Sequence, residues 1–325
     1  MRKSFSIICC LLLSVLCRAQ LSDSARIALL TCSPGKAVYL HYGHSALCVQ
    51  DPVNNIDIVF NYGIFDFTAP HFYWRFCKGE TYYQLAAQST RSFVWQSNAD
   101  GRTVSVQWLN LTASQRDSLY QALLINYLPE NRVYLYNFVF DNCATRPYNL
   151  IKKSIGNIVL SGHNEHLPTY REAIQHYTPR GSWADLGINL IFGPASDKIM
   201  TAEQSLFLPE YLMHAIERAT FDDGTALVTE SYYEPFIIRP LPWYQTWYFG
   251  VGVWFLLFCL LSIYDRRRQK RSRWADIFMY CIYGTLLAIV VFLTFFTLHP
   301  LCGFSAWLLL LPSLHATARA IYFWK

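Results

Sequence analysis

A thiol and an imidazole, far apart in the chain, are the side chains best suited to chemistry. Cys143 lies in Phe-Asp-Asn-Cys-Ala-Thr-Arg, and His44 lies in His-Tyr-Gly-His-Ser. A thiolate attacks carbonyl carbons, and an imidazole can take the thiol proton. His41 competes with His44, but we prefer His44 because it opens a β-type run toward Val49, whereas His41 precedes the turn at Gly43. The pair predicts acyl transfer through a thioester.

The segment around Cys143 predicts a strand followed by a helix. Phe138 to Phe140 is short and apolar, and a helix is expected from Ala144 onward. Cys143 then lies at a helix N-terminus, where the macrodipole and the backbone N–H groups lower a thiol pKa from about 8.5 and stabilise an oxyanion. The alternative is a small, buried and inert cysteine.

Four polar residues are candidates to assist this pair. Asn61 is expected to orient His44, because a hairpin through Asp51 to Asn55 brings it alongside; a turn-capping role is the alternative. Asp141, Asn142 and Arg146 flank the nucleophile. We expect Asp141 and Asn142 to assist the oxyanion or the orientation of the pair, and Arg146 to bind a lipid phosphate or to form a structural salt bridge.

Alternating runs and turn residues predict an α+β domain around these residues. The Asp-Pro-Val-Asn-Asn segment has the composition of a hairpin loop between two β-rich runs. The helix at Thr112 to Tyr127 has Ser114 as its expected N-cap. The remaining expected elements are a helix near Ser22 to Ser33 and strands at Ala46 to Val49, Ile56 to Tyr62, Thr81 to Ala86 and Arg102 to Leu109.

Both ends of the chain have the composition of membrane or export segments. Residues 1–19 combine Arg2 and Lys3 with an apolar stretch and a small residue at Ala19, which predicts a signal peptide or, alternatively, an uncleaved anchor. Residues 20–242 are then the exported domain and 243–325 the membrane domain. Two spans are expected at about 243–264 and 277–298, and a third at 303–324 is less apolar.

A cationic loop between the first two spans orients the chain. Cytoplasmic loops retain Lys and Arg, so the exported domain is expected in the periplasm, anchored to the inner membrane. The same loop supplies most of the net charge of +5, which disfavours nucleic-acid binding by the exported domain. Its six cations are Arg266, Arg267, Arg268, Lys270, Arg271 and Arg273.

The cysteine spacing favours neither a metal site nor a disulfide framework. No pair in the exported domain has Cys-x-x-Cys spacing, so no metal and no cofactor are expected. If Cys143 stays free, an odd number remains, and at most one bridge forms among Cys32, Cys48 and Cys77.

Several motifs resemble the Lnb-type periplasmic domain, and the order of histidine before cysteine is similar to circularly permuted papain-like (NlpC/P60-like) enzymes. The resemblance runs from about Leu29 through Leu212, and the membrane tail also matches, although the family usually has more spans. The motifs are His-Tyr-Gly-His-Ser, Phe-Asn-Tyr-Gly at 60–63, Lys-Gly-Glu-Thr-Tyr-Tyr at 78–83, Leu-Asn-Leu at 109–111, Tyr-Asn-Phe-Val-Phe-Asp-Asn-Cys-Ala-Thr-Arg at 136–146 and Phe-Leu-Pro-Glu-Tyr-Leu at 207–212.

The resemblance implies an antiparallel sheet and the lipoprotein N-acylation known in Gram-negative Bacteroidota, with His44 and Cys143 as the catalytic pair. A membrane phospholipid would donate the acyl chain, and the α-amine of a diacylated lipoprotein would accept it. Two other classes stay open. One is a papain-like cell-wall amidase, endopeptidase or phospholipase, and the other is a membrane-anchored scaffold without catalysis.

Overall fold

The computed structural model describes residues 20–160, 167–233, 240–303 and 312–318. The expected signal peptide at 1–19 and most of the expected third span lie outside these residues. The chain divides into two compact units. The first unit comprises Met1–Asp66, Tyr82–Glu165 and Leu206–Pro235, and the second comprises Phe67–Thr81, His166–Ser205 and Phe236–Lys325.

The first unit is built on a seven-stranded antiparallel sheet, with strand order β6-β4-β3-β2-β1-β5-β7. Its strands are β1 (Arg26–Cys32), β2 (His44–Asp51), β3 (Ile56–Ile64), β4 (Tyr82–Gln88), β5 (Val104–Leu109), β6 (Val133–Leu135) and β7 (Val228–Tyr232). Its helices are α2 (Thr90–Ala99), α3 (Ala113–Tyr127), α4 (Thr145–Ile155) and α8 (Pro209–Arg218). The predicted α+β class with an antiparallel sheet is therefore confirmed.

The helix expected near Ser22 to Ser33 was wrong, because Arg26–Cys32 form β1, an interior strand of the sheet. β1 pairs with β2 on one side and with β5 on the other, and every residue after Arg26 is buried. A strand covered on both faces has no polar alternation, so its apolar run resembles a helix segment in sequence.

Two apolar cores cover the two faces of the sheet. Leu29, Leu47 and Phe60 pack on one face with residues of α3, α4 and α8. Cys32, Ala46 and Phe93 of α2 pack on the other face. Alternate residues of one strand point to opposite faces, so each core draws on β1, β2 and β3. The face carrying α2 is the one on which His44 lies, two residues before Ala46.

The N-cap of α3 lies two residues before the expected one. Thr112, and not Ser114, is the N-cap: its hydroxyl accepts the Gln115 backbone N–H, and the Gln115 side chain accepts the Thr112 N–H at 3.0 Å. This reciprocal arrangement satisfies two of the N–H groups that a helix start leaves unpaired.

The second unit contains the membrane helices. Its helices are α1 (Phe72–Lys78), α5 (Tyr170–Gln175), α6 (Trp183–Ile191), α7 (Ala202–Ser205), α9 (Trp247–Arg268) and α10 (Arg273–Phe295). Of these, α9 and α10 are long and apolar enough to cross a bilayer, with mean hydropathies of 1.8 and 2.3. They overlap the two spans expected at 243–264 and 277–298. Residues 312–318, within the expected third span, are also helical.

Hydrogen bonds set the ends of these two helices. Thr246 caps α9, which therefore starts four residues after the expected Trp243. In the cationic loop, the Asp265 carboxylate accepts hydrogen bonds from the backbone N–H and the hydroxyl of Ser272. These hydrogen bonds hold Ser272, and α10 starts at the next residue, Arg273. The carboxylate thereby also fixes the cationic loop.

Candidate active site

The hairpin of β2 and β3 places Asn61 against His44. The register pairs Leu47 with Phe60, and its continuation sets His44 opposite Gly63, with Asn61 as the diagonal neighbour on the same face. His44 Nε2 and Asn61 Oδ1 are 2.5 Å apart. An amide oxygen only accepts, so Nε2 carries the hydrogen and Nδ1 keeps its lone pair.

The side chains of His44 and Cys143 both lie beside Gly63. The β3–β4 register shifts between Asn61 and Ile64, and Gly63 adopts a φ of 92° within this irregularity. A Cβ built on Gly63 would lie 3.5 Å from the Cys143 Cβ and 3.6 Å from the His44 Cε1. The two side chains thus flank the same glycine and are no further apart than the sum of these distances.

A tight turn delivers Cys143 to this position. Asn137 and Asp141 exchange two backbone hydrogen bonds, each 3.0 Å long. The Asn137 side chain accepts the backbone N–H groups of Val139 and Phe140. Cys143 lies one residue before Ala144, the N-cap of α4, and so stands at the start of this helix, as the sequence predicts. The turn is short and bonded within itself, which fixes the position of Cys143.

Asn142 secures the turn and does not face an oxyanion in this structure. Its Oδ1 accepts the backbone N–H groups of Ala144 and Thr145 at 2.8 and 2.9 Å. Its amide nitrogen donates to the carbonyl oxygens of Phe138 and Phe207. Both amide hydrogens of Asn142 are therefore engaged, and so are the backbone N–H groups of Ala144 and Thr145. The backbone N–H of Cys143 itself is then the nearest candidate donor to an oxyanion at the start of α4.

Asp141 and Arg146 form a structural clamp. The guanidinium donates to both carboxylate oxygens, at 2.6 and 2.7 Å, and stacks over Tyr134 with its central carbon 3.4 Å from the ring centre. The bidentate ion pair ties the turn at Asp141 to the start of α4, and the stacking on Tyr134 adds a contact with β6. Of the alternatives weighed for Arg146, the salt bridge is the one that the structure contains.

Burial keeps both reacting groups neutral. Desolvation raises the Cys143 pKa to about 11, although backbone N–H groups of Ser45 and Cys143 oppose this shift. Desolvation also lowers the His44 pKa to about 4, although the hydrogen bond that His44 donates to Asn61 opposes this shift. The low thiol pKa expected from the helix N-terminus was therefore wrong: loss of water outweighs the N–H groups. At neutral pH the pair rests as thiol and imidazole, and Nδ1 is free to act as a base.

Arg102 is a charged residue at this site that the sequence reasoning missed. Cys32 pairs with His44 on one side and with Val104 on the other, so Arg102, two residues before Val104, belongs to the same face at the same end of the sheet. It is buried, and its Nε and Nη1 have no hydrogen-bond partner among the described residues. Its positive charge lowers the pKa of both Cys143 and His44. No local motif marks this residue, because register alone brings it there.

Tyrosines form a wall that the sequence reasoning also missed. The rings of Tyr83 and Tyr136 stack with centroids 4.1 Å apart, and Tyr134 is buried beside them. Burial raises the pKa of all three phenols, and the negative charge that Cys143 carries once it is ionised adds to each rise. The alternation of Tyr134 and Tyr136 in the sequence could have predicted that both rings lie on one face of a strand. The wall gives the thiol an apolar, water-poor surrounding.

The cysteines of the described residues are all free thiols. Cys32 and Cys48 are buried and contact the hydroxyl groups of Ser97 and Thr90, at 3.4 and 3.3 Å. The single bridge considered among Cys32, Cys48 and Cys77 is absent. Cys143 therefore has no disulfide partner that would block its sulfur.

Comparison with known families gives two matches in succession along the chain. Residues 18–176 match the Lnb N-terminal periplasmic domain, and residues 246–325 match the Lnb transmembrane domain. The first match contains His44, Asn61, Arg102 and Cys143. Searches of curated proteins and of solved structures gave no match. The two matched segments together span well over half of the chain, and they identify it as a member of the Lnb family, a membrane-anchored protein with a periplasmic N-terminal domain.

Proposed function

We propose that this protein is a lipoprotein N-acyltransferase of the inner membrane, with Cys143 as nucleophile and His44 as general base. The observation that carries the proposal is the arrangement around Gly63: the side chains of Cys143 and His44 both lie beside this glycine, and the imidazole of His44 is held by Asn61. Family membership supports a membrane enzyme that modifies lipoproteins. The acyl donor is a membrane phospholipid, and the acceptor is the α-amine of a diacylated lipoprotein.

In the first half-reaction, the Cys143 sulfur attacks an ester carbonyl of the phospholipid. His44 Nδ1 takes the thiol proton as the carbon–sulfur bond forms. The ester carbon–oxygen bond then breaks, and His44 returns the proton to the departing alkoxide of the lysophospholipid. Because thiol and imidazole are neutral at rest, proton transfer accompanies attack and does not precede substrate binding.

In the second half-reaction, the lipoprotein amine attacks the thioester on Cys143. An α-amine has a pKa of about 7.7–8.0, so a useful fraction is neutral at pH 7. His44, with its low pKa, is itself neutral and removes the proton that the amine sheds. The carbon–sulfur bond breaks, an amide forms, and the thiolate takes back a proton through His44. Burial of the pair disfavours attack by water, which is what separates a transferase from a phospholipase.

The test is a trapped acyl-enzyme. The full-length protein in lipid nanodiscs is incubated with a phospholipid carrying a labelled acyl chain, without acceptor, and the labelled peptide is mapped by mass spectrometry. We expect a hydroxylamine-sensitive thioester on Cys143. Cys77→Ser is the matched control, because Cys77 is an exposed free thiol outside the site. Label that survives Cys143→Ser would refute the assignment of the nucleophile.

A second experiment separates the three function classes. A lipopeptide with a free α-amine is added to the labelled acyl-enzyme, and the products are identified. Transfer to the amine supports the N-acyltransferase. Release only as free fatty acid would instead make the protein a phospholipase. If the Cys143→Ser variant fully restores lipoprotein N-acylation in a strain lacking the gene, the scaffold hypothesis replaces both.

A further inference from the structure

Helix α1 exposes an aromatic surface that the proposed chemistry does not use. It is the seven-residue segment Phe-Tyr-Trp-Arg-Phe-Cys-Lys, in which Phe72 is buried. Tyr73, Trp74 and Phe76 are 74, 58 and 49% exposed. Three large exposed aromatic side chains within one short helix are unusual on a surface that faces only water. They point to an apolar or amphipathic neighbour.

Contacts within the second unit attach α1 to the end of a membrane helix. The Leu298 backbone N–H donates to the Lys78 carbonyl at 2.8 Å, and His299 Nε2 lies 3.1 Å from the Cys77 carbonyl oxygen. The Trp74 ring packs on Phe292, with centroids 5.6 Å apart. Phe292 belongs to the last turn of α10, and Leu298 follows that helix.

The attachment fixes the depth of α1 in a bilayer. With the cationic loop in the cytoplasm, α10 runs outward, and its C-terminal end lies at the periplasmic boundary of the hydrocarbon. A helix bonded to residues just beyond that end is held at headgroup level. Aromatic rings with a polar atom, such as those of Tyr73 and Trp74, prefer this depth.

The charges of α1 suit phospholipid phosphates. Arg75 is exposed and forms no ion pair among the described residues. Lys78 is paired with Glu80 at 2.6 Å, so Arg75 is the cation available for a ligand. Basic residues on a helix that lies at the interface attract anionic headgroups.

We propose that α1 is an interfacial helix that lies in the periplasmic leaflet of the membrane, with its aromatic side chains at the acyl boundary and Arg75 on lipid phosphates. The bilayer itself is the partner. The surface depends on the contacts of α1 with α10 and not on the chemistry of Cys143. It predicts that the protein holds phospholipid at a second place besides its two apolar spans.

The test measures the depth of a fluorophore on Cys77, the exposed thiol of α1. Cys143, Cys259, Cys281 and Cys302 are replaced by serine in the full chain, and the label is mapped to Cys77 by mass spectrometry. The protein is placed in nanodiscs of phosphatidylethanolamine and phosphatidylglycerol, with lipids spin-labelled either at the headgroup or deep in the acyl chain. We expect strong quenching by the headgroup label, weak quenching by the deep label and protection from aqueous iodide.

Variants show whether the aromatic side chains cause this depth. Trp74→Glu is expected to weaken headgroup quenching and to increase quenching by iodide, whereas Trp95→Glu, at an exposed tryptophan of α2, is expected to leave both unchanged. Arg75→Gln is expected to weaken headgroup quenching less than Trp74→Glu. Full iodide quenching with little lipid quenching of the otherwise unaltered protein would overturn the proposal, and this measurement decides even if a variant fails to fold. It requires no acyl transfer, so its failure leaves the proposed function untouched.

Discussion

Removal of the Asn61 side chain tests the orientation of the catalytic imidazole. In Asn61→Ala, the His44 Nε2–H loses its 2.5 Å partner in a buried site. Leaving one buried donor unsatisfied costs about 1–3 kcal/mol. If this cost is paid in the transition state, because the imidazole has lost its hydrogen-bond partner or adopts the wrong tautomer, kcat falls by roughly 5- to 150-fold. Binding of phospholipid does not involve Asn61, so KM should change little.

The assay is acyl transfer from a labelled phospholipid to a diacylated lipopeptide by full-length protein in nanodiscs. The matched control is Asn110→Ala, which removes a 3.0 Å side-chain hydrogen bond to the Ala226 carbonyl beyond the opposite end of β5. Thermal unfolding of both variants checks that the fold is retained. If Asn61→Ala is folded and its kcat equals that of Asn110→Ala, the proposed orienting role of Asn61 is refuted.

Three further outcomes follow from the same geometry. Gly63→Ala should lower kcat, because the new Cβ enters the space beside Cys143. It should also lower the free energy of unfolding in denaturant by about 1–2 kcal/mol, because φ at this position is 92°. Full activity of the variant would show that this space is not used. Arg102→Met should slow alkylation of Cys143 at fixed pH, since it removes a cation that lowers the thiol pKa. Arg116→Met is the control, because the Nε of Arg116 is also buried without a hydrogen-bond partner among the described residues, and it should not slow alkylation. Equal effects of the two substitutions would contradict this prediction. Since the His44 pKa is lowered to about 4, the neutral base persists in acid, and the acidic limb of kcat/KM should lie well below pH 6.5; a limb at 6.5 would show that burial does not control the base.

Local patterns predicted much of the sheet and the approximate position of the nucleophile. The runs that became β2, β3, β4 and β5 combine β-type residues with turn residues at their ends, and both signals are local. The two long apolar helices were predicted because length and hydropathy alone suffice. The strand β1 was mistaken for a helix, because burial on both faces removes the alternation that distinguishes a strand.

The sequence by itself determined the types of the candidate catalytic side chains and the two long apolar helices of the second unit. It also suggested Asn61 as the partner of His44, because a hairpin has few possible registers. Only the tertiary structure decided the electrostatics of the site. Whether Cys143 has a low or a high pKa depends on the balance between helix N–H groups and lost water, and loss of water depends on packing from distant segments.

The same reason explains why Arg102 was missed and why Arg146 has a structural partner. Arg102 reaches the catalytic end of the sheet through pairings of β1 with β2 and β5, which join residues remote in sequence. Arg146 is bound by Asp141 and by Tyr134 of a neighbouring strand. A motif names the residues that can react, whereas their protonation and their partners are fixed by long-range contacts, which a single sequence does not encode locally.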